Sequence, residues 1–445
     1  MKRLLKTTSL FSLIAISGSA FAQSATDTAN FSPRLKIASR YSLWDSYRKN
    51  EMDVFGSTAR FGLNYRYKNI FATLEVQAGN PSEAYTNSSS QGYATTNGRE
   101  SLFNVRRANV GLDVYKSDPA SVSFVFGRDR IVSSIVYGPD AMVENIATNL
   151  DNVSSLTSSD GIGLKYAGKF DFGMINFGIG SYNNLAAATQ STGSGWFGNS
   201  SLVVGDNSFN SSPKTQSRAI QANLNADITA GDGVVEARVG YGSQTNAVNK
   251  ITTTTTSTTD SSGVTTTVYT NTYKVFDVTN TEASLGYNYM NSALRGGVWY
   301  QSVTTSKSQT GVLGATNNID NYTASTTDDS QTINTVGVGV TGNSKLWGMS
   351  DLLTTGDVLT YSLAYQNANG QLVSGGGGTT GVTKFTNSTL TTDFYNVGVG
   401  YQLEKFALEF NYAMINASKE IYTDNDGKAN ATQASIFYLM AKLSL

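Results

Sequence analysis

The side chains of this chain that could do chemistry are charged and few in kind. Its 445 residues include 32 Lys and Arg and 33 Asp and Glu, but no His and no Cys. Without imidazole or thiol, no Ser-His or Cys-His nucleophile can be assembled, and the usual ligands of zinc and haem are missing. Carboxylates remain, yet no two of them stand at a spacing that favours acid-base catalysis. The reading is therefore of a non-enzyme with no cofactor and no resident metal. Asp424-Asn425-Asp426-Gly427 resembles the start of a calcium loop, but Ser435 occupies the closing position where an acid is needed, so a turn is expected. Near balance of charge leaves no electrostatic footprint for nucleic acid. What is left is charge used as charge, and it is concentrated in the first third: Lys36, Arg40, Arg60, Arg66, Glu75, Arg106, Arg107, Arg130, Asp140 and Glu144.

The elements that must carry these charges repeat with period two. Along 58–68, Ala59, Phe61, Leu63, Tyr65 and Tyr67 share one face, and Arg60, Asn64, Arg66 and Lys68 the other. After Lys68-Asn69 the alternation resumes, with Ile70, Ala72, Leu74, Val76 and Ala78 against Thr73, Glu75 and Gln77. Two such runs joined by two residues form a hairpin. Segments of this kind, about ten residues long, recur to the C-terminus and number sixteen, a length that lets a tilted strand cross a bilayer. None of the apolar rows contains a charge, whereas the opposite rows hold Lys165, Glu236, Arg238, Glu282, Arg295, Glu409 and Lys442. An Arg or Lys facing lipid at mid-depth costs about 2–4 kcal/mol, while one facing a wet lumen costs little. The predicted fold is an all-β, sixteen-stranded antiparallel transmembrane barrel, too wide for side chains to fill.

Residues 1–22 stand apart. Lys2, Arg3 and Lys6 precede an apolar run from Leu10 to Ile16 and a small-residue exit at Ala20-Phe21-Ala22, the pattern of a cleaved secretory signal. Residues 23–445 form the barrel domain, with 29 basic against 33 acidic residues. Mean hydropathy is -0.22, and no later run is long and apolar enough for a spanning helix. With 43 Gly, 5 Pro, 24 Tyr and 20 Phe, the composition is that of strands with an aromatic excess. Tyr67, Tyr166, Tyr289, Tyr401 and Phe406 lie beside short turns, where an interfacial girdle would sit.

Short connections at 68–69, 116–119, 168–173, 230–232, 290–293 and 403–405 alternate with long ones at 46–57, 80–102, 129–160, 183–216, 244–274, 304–331, 367–390 and 418–433. Short periplasmic turns and long outer loops are the asymmetry of outer-membrane barrels. The connection at 342–357 breaks the rule, and a short helix is expected over 345–353. The Thr-rich stretch 251–269 is expected to be a hairpin rising above the membrane.

Several stretches resemble the general bacterial porin family of Gram-negative outer membranes. They are Ala59-Arg60-Phe61-Gly62-Leu63, Arg106-Arg107 before Gly111-Leu112, Phe126-Gly127-Arg128 and Tyr137-Gly138-Pro139-Asp140. The resemblance implies a third long loop folded into the lumen, whose acids would be Asp140 and Glu144. Facing them across a constriction would be a ladder of Arg40, Arg60 and one of Arg106 or Arg107, with Lys36 and Arg130 beside it. Alternation points Arg107 inward, whereas the family pattern favours Arg106. The chain departs from the family in lacking a Pro-Glu-Phe-Gly-Gly stretch in that loop and in ending on Leu445 rather than an aromatic. The resemblance further implies a homotrimer embedded in outer-membrane lipid.

The expected function is passive diffusion of small hydrophilic solutes and ions. Opposed charges would impose a transverse field on the solute, worth only about 1 kcal/mol per unit charge at 4 Å in water, enough to bias selectivity. Two alternatives are a surface adhesin or phage-receptor barrel using the Thr-rich loops, and an eighteen-stranded substrate-specific channel.

Overall fold

The fold follows from where the alternating strands find partners. A computed structural model describes residues 29–45, 53–78, 103–129, 159–182, 218–259, 261–262, 265–306, 309–313, 319–324, 331–349, 351, 353–354, 356–371, 389–418, 422–423, 430–431 and 433–444. The strands are β1 (Asn30–Asp45), β2 (Asp53–Tyr67), β3 (Ile70–Ala78), β4 (Phe103–Lys116), β5 (Ala120–Asp129), β6 (Ser159–Phe170), β7 (Gly173–Tyr182), β8 (Arg218–Ala230), β9 (Gly233–Thr259) and β10 (Thr265–Tyr289). They continue as β11 (Leu294–Thr305), β12 (Gln309–Leu313), β13 (Ile319–Ala324), β14 (Gln331–Asn343), β15 (Asp357–Gln371), β16 (Thr389–Leu403), β17 (Phe406–Ala417), β18 (Tyr422–Thr423), β19 (Asn430–Ala431) and β20 (Gln433–Ser444).

Each main strand pairs antiparallel with the next, and β1 returns to β20 from Lys36↔Ser444 to Asp45↔Ile436, which closes the sheet into a ring. Closure leaves no edge with unpaired backbone groups, the condition for a sheet in lipid. Sixteen strands, not eighteen, make the ring, because β12 and β13 form a hairpin attached to β10 at Thr272–Val275. The separate pair β18–β19 lies in the connection before β20.

Side-chain exposure divides the wall as alternation predicts, but with the usual sense of a globular protein reversed. The outward apolar rows are open, with Val110 54 %, Leu285 55 % and Val399 58 % exposed, whereas inward Glu282, Gln301, Asn396 and Asn411 are fully buried. A contiguous apolar surface of this extent does not persist against water. It fits the hydrocarbon band of a bilayer.

On one rim the strands turn sharply. Lys68 (φ 52°), Gly231 (φ 59°) and Glu404 (φ 46°) adopt the left-handed conformation that gives a two-residue hairpin the twist of its strands. Only Gly231 does so without steric penalty. The β10–β11 turn keeps Met290, Asn291 and Ser292 left-handed in succession.

Four sequence expectations are corrected. The turn expected at 168–173 shrinks to Asp171-Phe172, because β6 runs on to Phe170. The loop expected at 244–274 is mostly strand: the Thr-rich hairpin continues β9 and β10 without a break as far as Thr259 and Thr265. The 304–331 loop contains β12 and β13. The helix expected over 345–353 is a single 3-10 turn at Ser344–Trp347, capped by the Asn343 side chain and ended by Gly348 at φ 72°.

Candidate functional site

The inner wall of β1–β4 gathers much of the predicted charge. Register sets Lys36 opposite Arg60, and Arg60 opposite Gln77. Glu75 stands opposite Arg107, and Arg40 lies in register with Gly56 on one side and Met440 on the other. Lys36, Arg40 and Arg106 are placed by their backbone alone. Arg60, Glu75 and Arg107 are half-buried on the inner face. The Arg107 Nε is buried and makes no hydrogen bond among the described residues.

Register distinguishes the backbone positions of Arg106 and Arg107. Between Glu75↔Arg107 and Val76↔Val105 the register slips by one, so Arg106 is the extra residue of a β-bulge in β4. Arg107 therefore keeps the inward parity of Asn109 and Asp113, while Val105 turns outward, 38 % exposed. Alternation alone cannot see an inserted residue. Arg128 helps to hold this bulge. Its Nη1 donates to the Val105 carbonyl at 3.2 Å, and the Asn109 amide donates to the Arg128 carbonyl at 3.2 Å.

Arg66 reaches the inner face next to the short-turn rim. Its Nη1 lies 2.5 Å from Asp113 Oδ2, and Ser123 Oγ donates to Asp113 Oδ1 at 2.8 Å. Its guanidinium also sits 5.3 Å from the centre of the Phe71 ring. The end of that ring lies over Gly111, where an added Cβ would meet it at 2.0 Å.

A second charged cluster lies farther around the ring, on β8–β11, and sequence reasoning did not assemble it. Asp227 and Glu236 are opposite each other in register, and Arg238 binds Asp227. Arg295 holds Glu236 in a fork, Nε to Oε2 at 3.0 Å and Nη2 to Oε1 at 3.1 Å. The fork spans from β11 to β9. It can do so because the inward residue of β10 opposite Glu236 is Gly286, which has no side chain to intervene. Deeper in, buried Glu282 accepts from Asn280 Nδ2 at 2.9 Å and from Gln301 Nε2 at 3.1 Å. The available signal was inward parity combined with cross-strand register, and register becomes known only once turn lengths are fixed. A further pair, Lys442 Nζ to Glu409 Oε1 at 2.7 Å, lines a cavity of about 560 Å³ at the short-turn mouth, together with Lys345, Thr360, Ser362 and Gln402.

Several inward amides have no hydrogen-bond partner among the described residues. Both amide atoms of Asn396 and of Asn411, Gln221 Nε2, Asn225 Oδ1, Gln366 Oε1 and Trp299 Nε1 are buried without a hydrogen bond among the described residues. Of the predicted site residues, Arg130, Asp140 and Glu144 lie outside the described residues, as does the segment 1–22.

No family model and no curated protein matches the sequence. Solved structures do resemble it in shape. The trimer form of OmpT, an outer membrane protein of Vibrio cholerae, is 14 % identical with a TM-score of 0.44, covering 94 % of this chain and 100 % of its own. An anion-selective porin from Comamonas acidovorans is 12 % identical at TM-score 0.44, again covering 94 % and 100 %. Salmonella typhi OmpF, in complex with daunomycin, is 11 % identical at TM-score 0.46 over the same shares. The likeness is to outer-membrane barrels. At these identities the barrel assignment rests on the chain's own hydrogen-bonded closure and divided faces.

Proposed function

We propose that this chain is an outer-membrane porin, a water-filled channel for passive diffusion of small hydrophilic solutes and ions, exported by the signal at 1–22 and assembled as a homotrimer. The carrying observation is the chemistry of the inner face. The closed sixteen-strand wall turns charged and amide side chains such as Arg60, Glu75, Arg107, Glu236, Arg295 and Asn396 inward and its apolar rows outward, the arrangement of a polar lumen inside a lipid-facing belt.

In this reading Arg60 and Arg107, with Lys36, Arg40 and Arg106 near them, form a basic stripe that biases passing ions. By the family resemblance, Asp140 and Glu144 of the third long loop would face this stripe, with Arg130 a lesser member of the basic side. Single-channel recording in planar bilayers tests the proposal. Stable ohmic steps from the purified protein are expected.

A second reading, a surface-interaction barrel with an occluded lumen, draws on two observations. Glu282 and Gln301 are fully buried on the inner wall, and β9 and β10, 27 and 25 residues long in all, run on into a Thr-rich hairpin. A purified barrel that inserts but gives no conductance would favour it.

A further inference from the structure

The connection between β14 and β15 is the one long turn on the otherwise tight rim, and its side chains are unlike those of its neighbours. Trp347, Met349 and Leu353 are 59 %, 44 % and 80 % exposed, and Leu353 is the most open large apolar side chain among the described residues. The described part of the connection is tied to the start of β15, where buried Asp357 Oδ2 accepts from the amides of Leu353 at 2.7 Å and Thr354 at 3.1 Å, and from Tyr401 Oη at 2.7 Å. The amide of Gly356 donates to Asp351 Oδ1, and Ser344 Oγ accepts from the Leu359 amide at 3.1 Å.

The turn is also continuous with the outward belt. The Trp347 ring stacks on Tyr361 at 5.3 Å between centroids, and Tyr361 lies on the outer face over Gly342. Lys345, two residues before Trp347, instead lines the polar mouth of the barrel. The turn thus has a wet inner side and an apolar outer side, the division of an interfacial anchor. Elsewhere on this rim, Phe170 and Phe172 stack outward at 5.2 Å in the same fashion.

We propose that Trp347, Met349 and Leu353, in the connection between β14 and β15, are buried among the phospholipid headgroups of the leaflet at the short-turn rim. Rather than projecting into the aqueous compartment, the connection fixes the depth and tilt of the barrel. The inference rests on the barrel spanning a bilayer.

Because the chain has no Cys, a single introduced thiol reports one site. Leu353→Cys and Glu404→Cys, the latter in a polar short turn, are each labelled with an environment-sensitive nitrobenzoxadiazole probe. The labelled barrels are refolded into phosphatidylcholine–phosphatidylethanolamine vesicles with iodide on both sides of the membrane. At 353 the expected result is a blue-shifted emission, strong quenching by nitroxide lipids, and iodide quenching at least threefold weaker than at 404. Iodide quenching equal at the two positions, in a barrel that has inserted, overturns the anchor and points to a water-facing surface for a soluble partner. Met349→Cys carries the same comparison should the 353 variant fold poorly. If the unmodified protein itself fails to insert, the membrane-barrel reading falls, and the anchor with it.

Discussion

Arg128 on β5 donates to the carbonyl of Val105 on β4, the residue immediately before the bulged Arg106. The contact links the Phe126-Gly127-Arg128 stretch to the strand whose charges it helps to place. Gly127 makes it possible: at φ 105°, with a virtual Cβ 2.5 Å from the Ala108 carbonyl, no larger residue fits there. Removing the clamp by Arg128→Ala should cost about 1 kcal/mol, the worth of one hydrogen bond. It should also shift ion selectivity, because the bulge sets the direction of Arg107. Urea unfolding in detergent micelles reads the first effect and reversal potential the second. Wild-type values in both would remove the clamp from the account.

Arg60 on β2 and Arg107 on β4 flank the inner face of β3, with Lys36 opposite Arg60 in register. The double variant Arg60→Ala, Arg107→Ala should move the reversal potential in a salt gradient toward cation preference, leaving conductance within about twofold, since each charge contributes on the order of 1 kcal/mol in water. An unchanged reversal potential would mean that these residues are ordinary lumen charges.

Most of the barrel was legible in the sequence, for a physical reason. Lipid tolerates no charge on one row and water tolerates many on the other, so period two survives along the ring strands except where a bulge interrupts it. Bulges were not legible. Nothing in Val105-Arg106-Arg107-Ala108 announces that one residue is extra, since a bulge is a relation between two strands. The fork between Arg295 and Glu236 was hidden for a similar cause: it crosses β10 at Gly286, and only register brings three strands into line. Conversely, the Thr-rich 244–274 segment was read as loop at its ends because low hydrophobicity hid the strand propensity of its β-branched residues. The helix expected at 345–353 gave way to Asp351 and Asp357, whose carboxylates capture backbone amides that a helix would have used.

The end of the Phe71 ring occupies the space above Gly111, and the Arg66 guanidinium lies 5.3 Å from the ring centre. Gly111→Ala would place a methyl about 2 Å from ring carbons that cannot compress. We expect Phe71 to rotate away, Arg66 to loosen from Asp113, and stability to fall by roughly 1–3 kcal/mol. Phe71→Leu in the same background should recover part of the loss. Unfolding midpoints of the three variants decide it, and additive losses would argue against direct contact.

Arg295 and Glu236 form a bidentate pair in which the carboxylate is 9 % exposed and the guanidinium 26 %. Arg295→Met alone should destabilise by about 2–3 kcal/mol, because the largely buried Glu236 loses its bidentate partner. Glu236→Gln added to Arg295→Met should restore most of that, since no buried charge is stranded. A double-mutant cycle with coupling below about 0.5 kcal/mol would indicate that lumen water already screens the pair.

Leu285 faces outward, paired with Val298 on one side and Ala237 on the other, at mid-height between the Tyr287–Tyr289 stack and the long-connection rim. If that surface meets hydrocarbon, Leu285→Arg should cost about 2–4 kcal/mol and lower insertion yield in thick bilayers more than in thin ones. Thr360 faces the mouth cavity, so Thr360→Arg should be nearly neutral and should narrow the conductance instead. The two substitutions introduce the same charge and differ only in the side of the wall. Equal costs in vesicles would mean that the outward row is not in lipid, and equal costs in water-soluble form would mean that it is an ordinary protein surface.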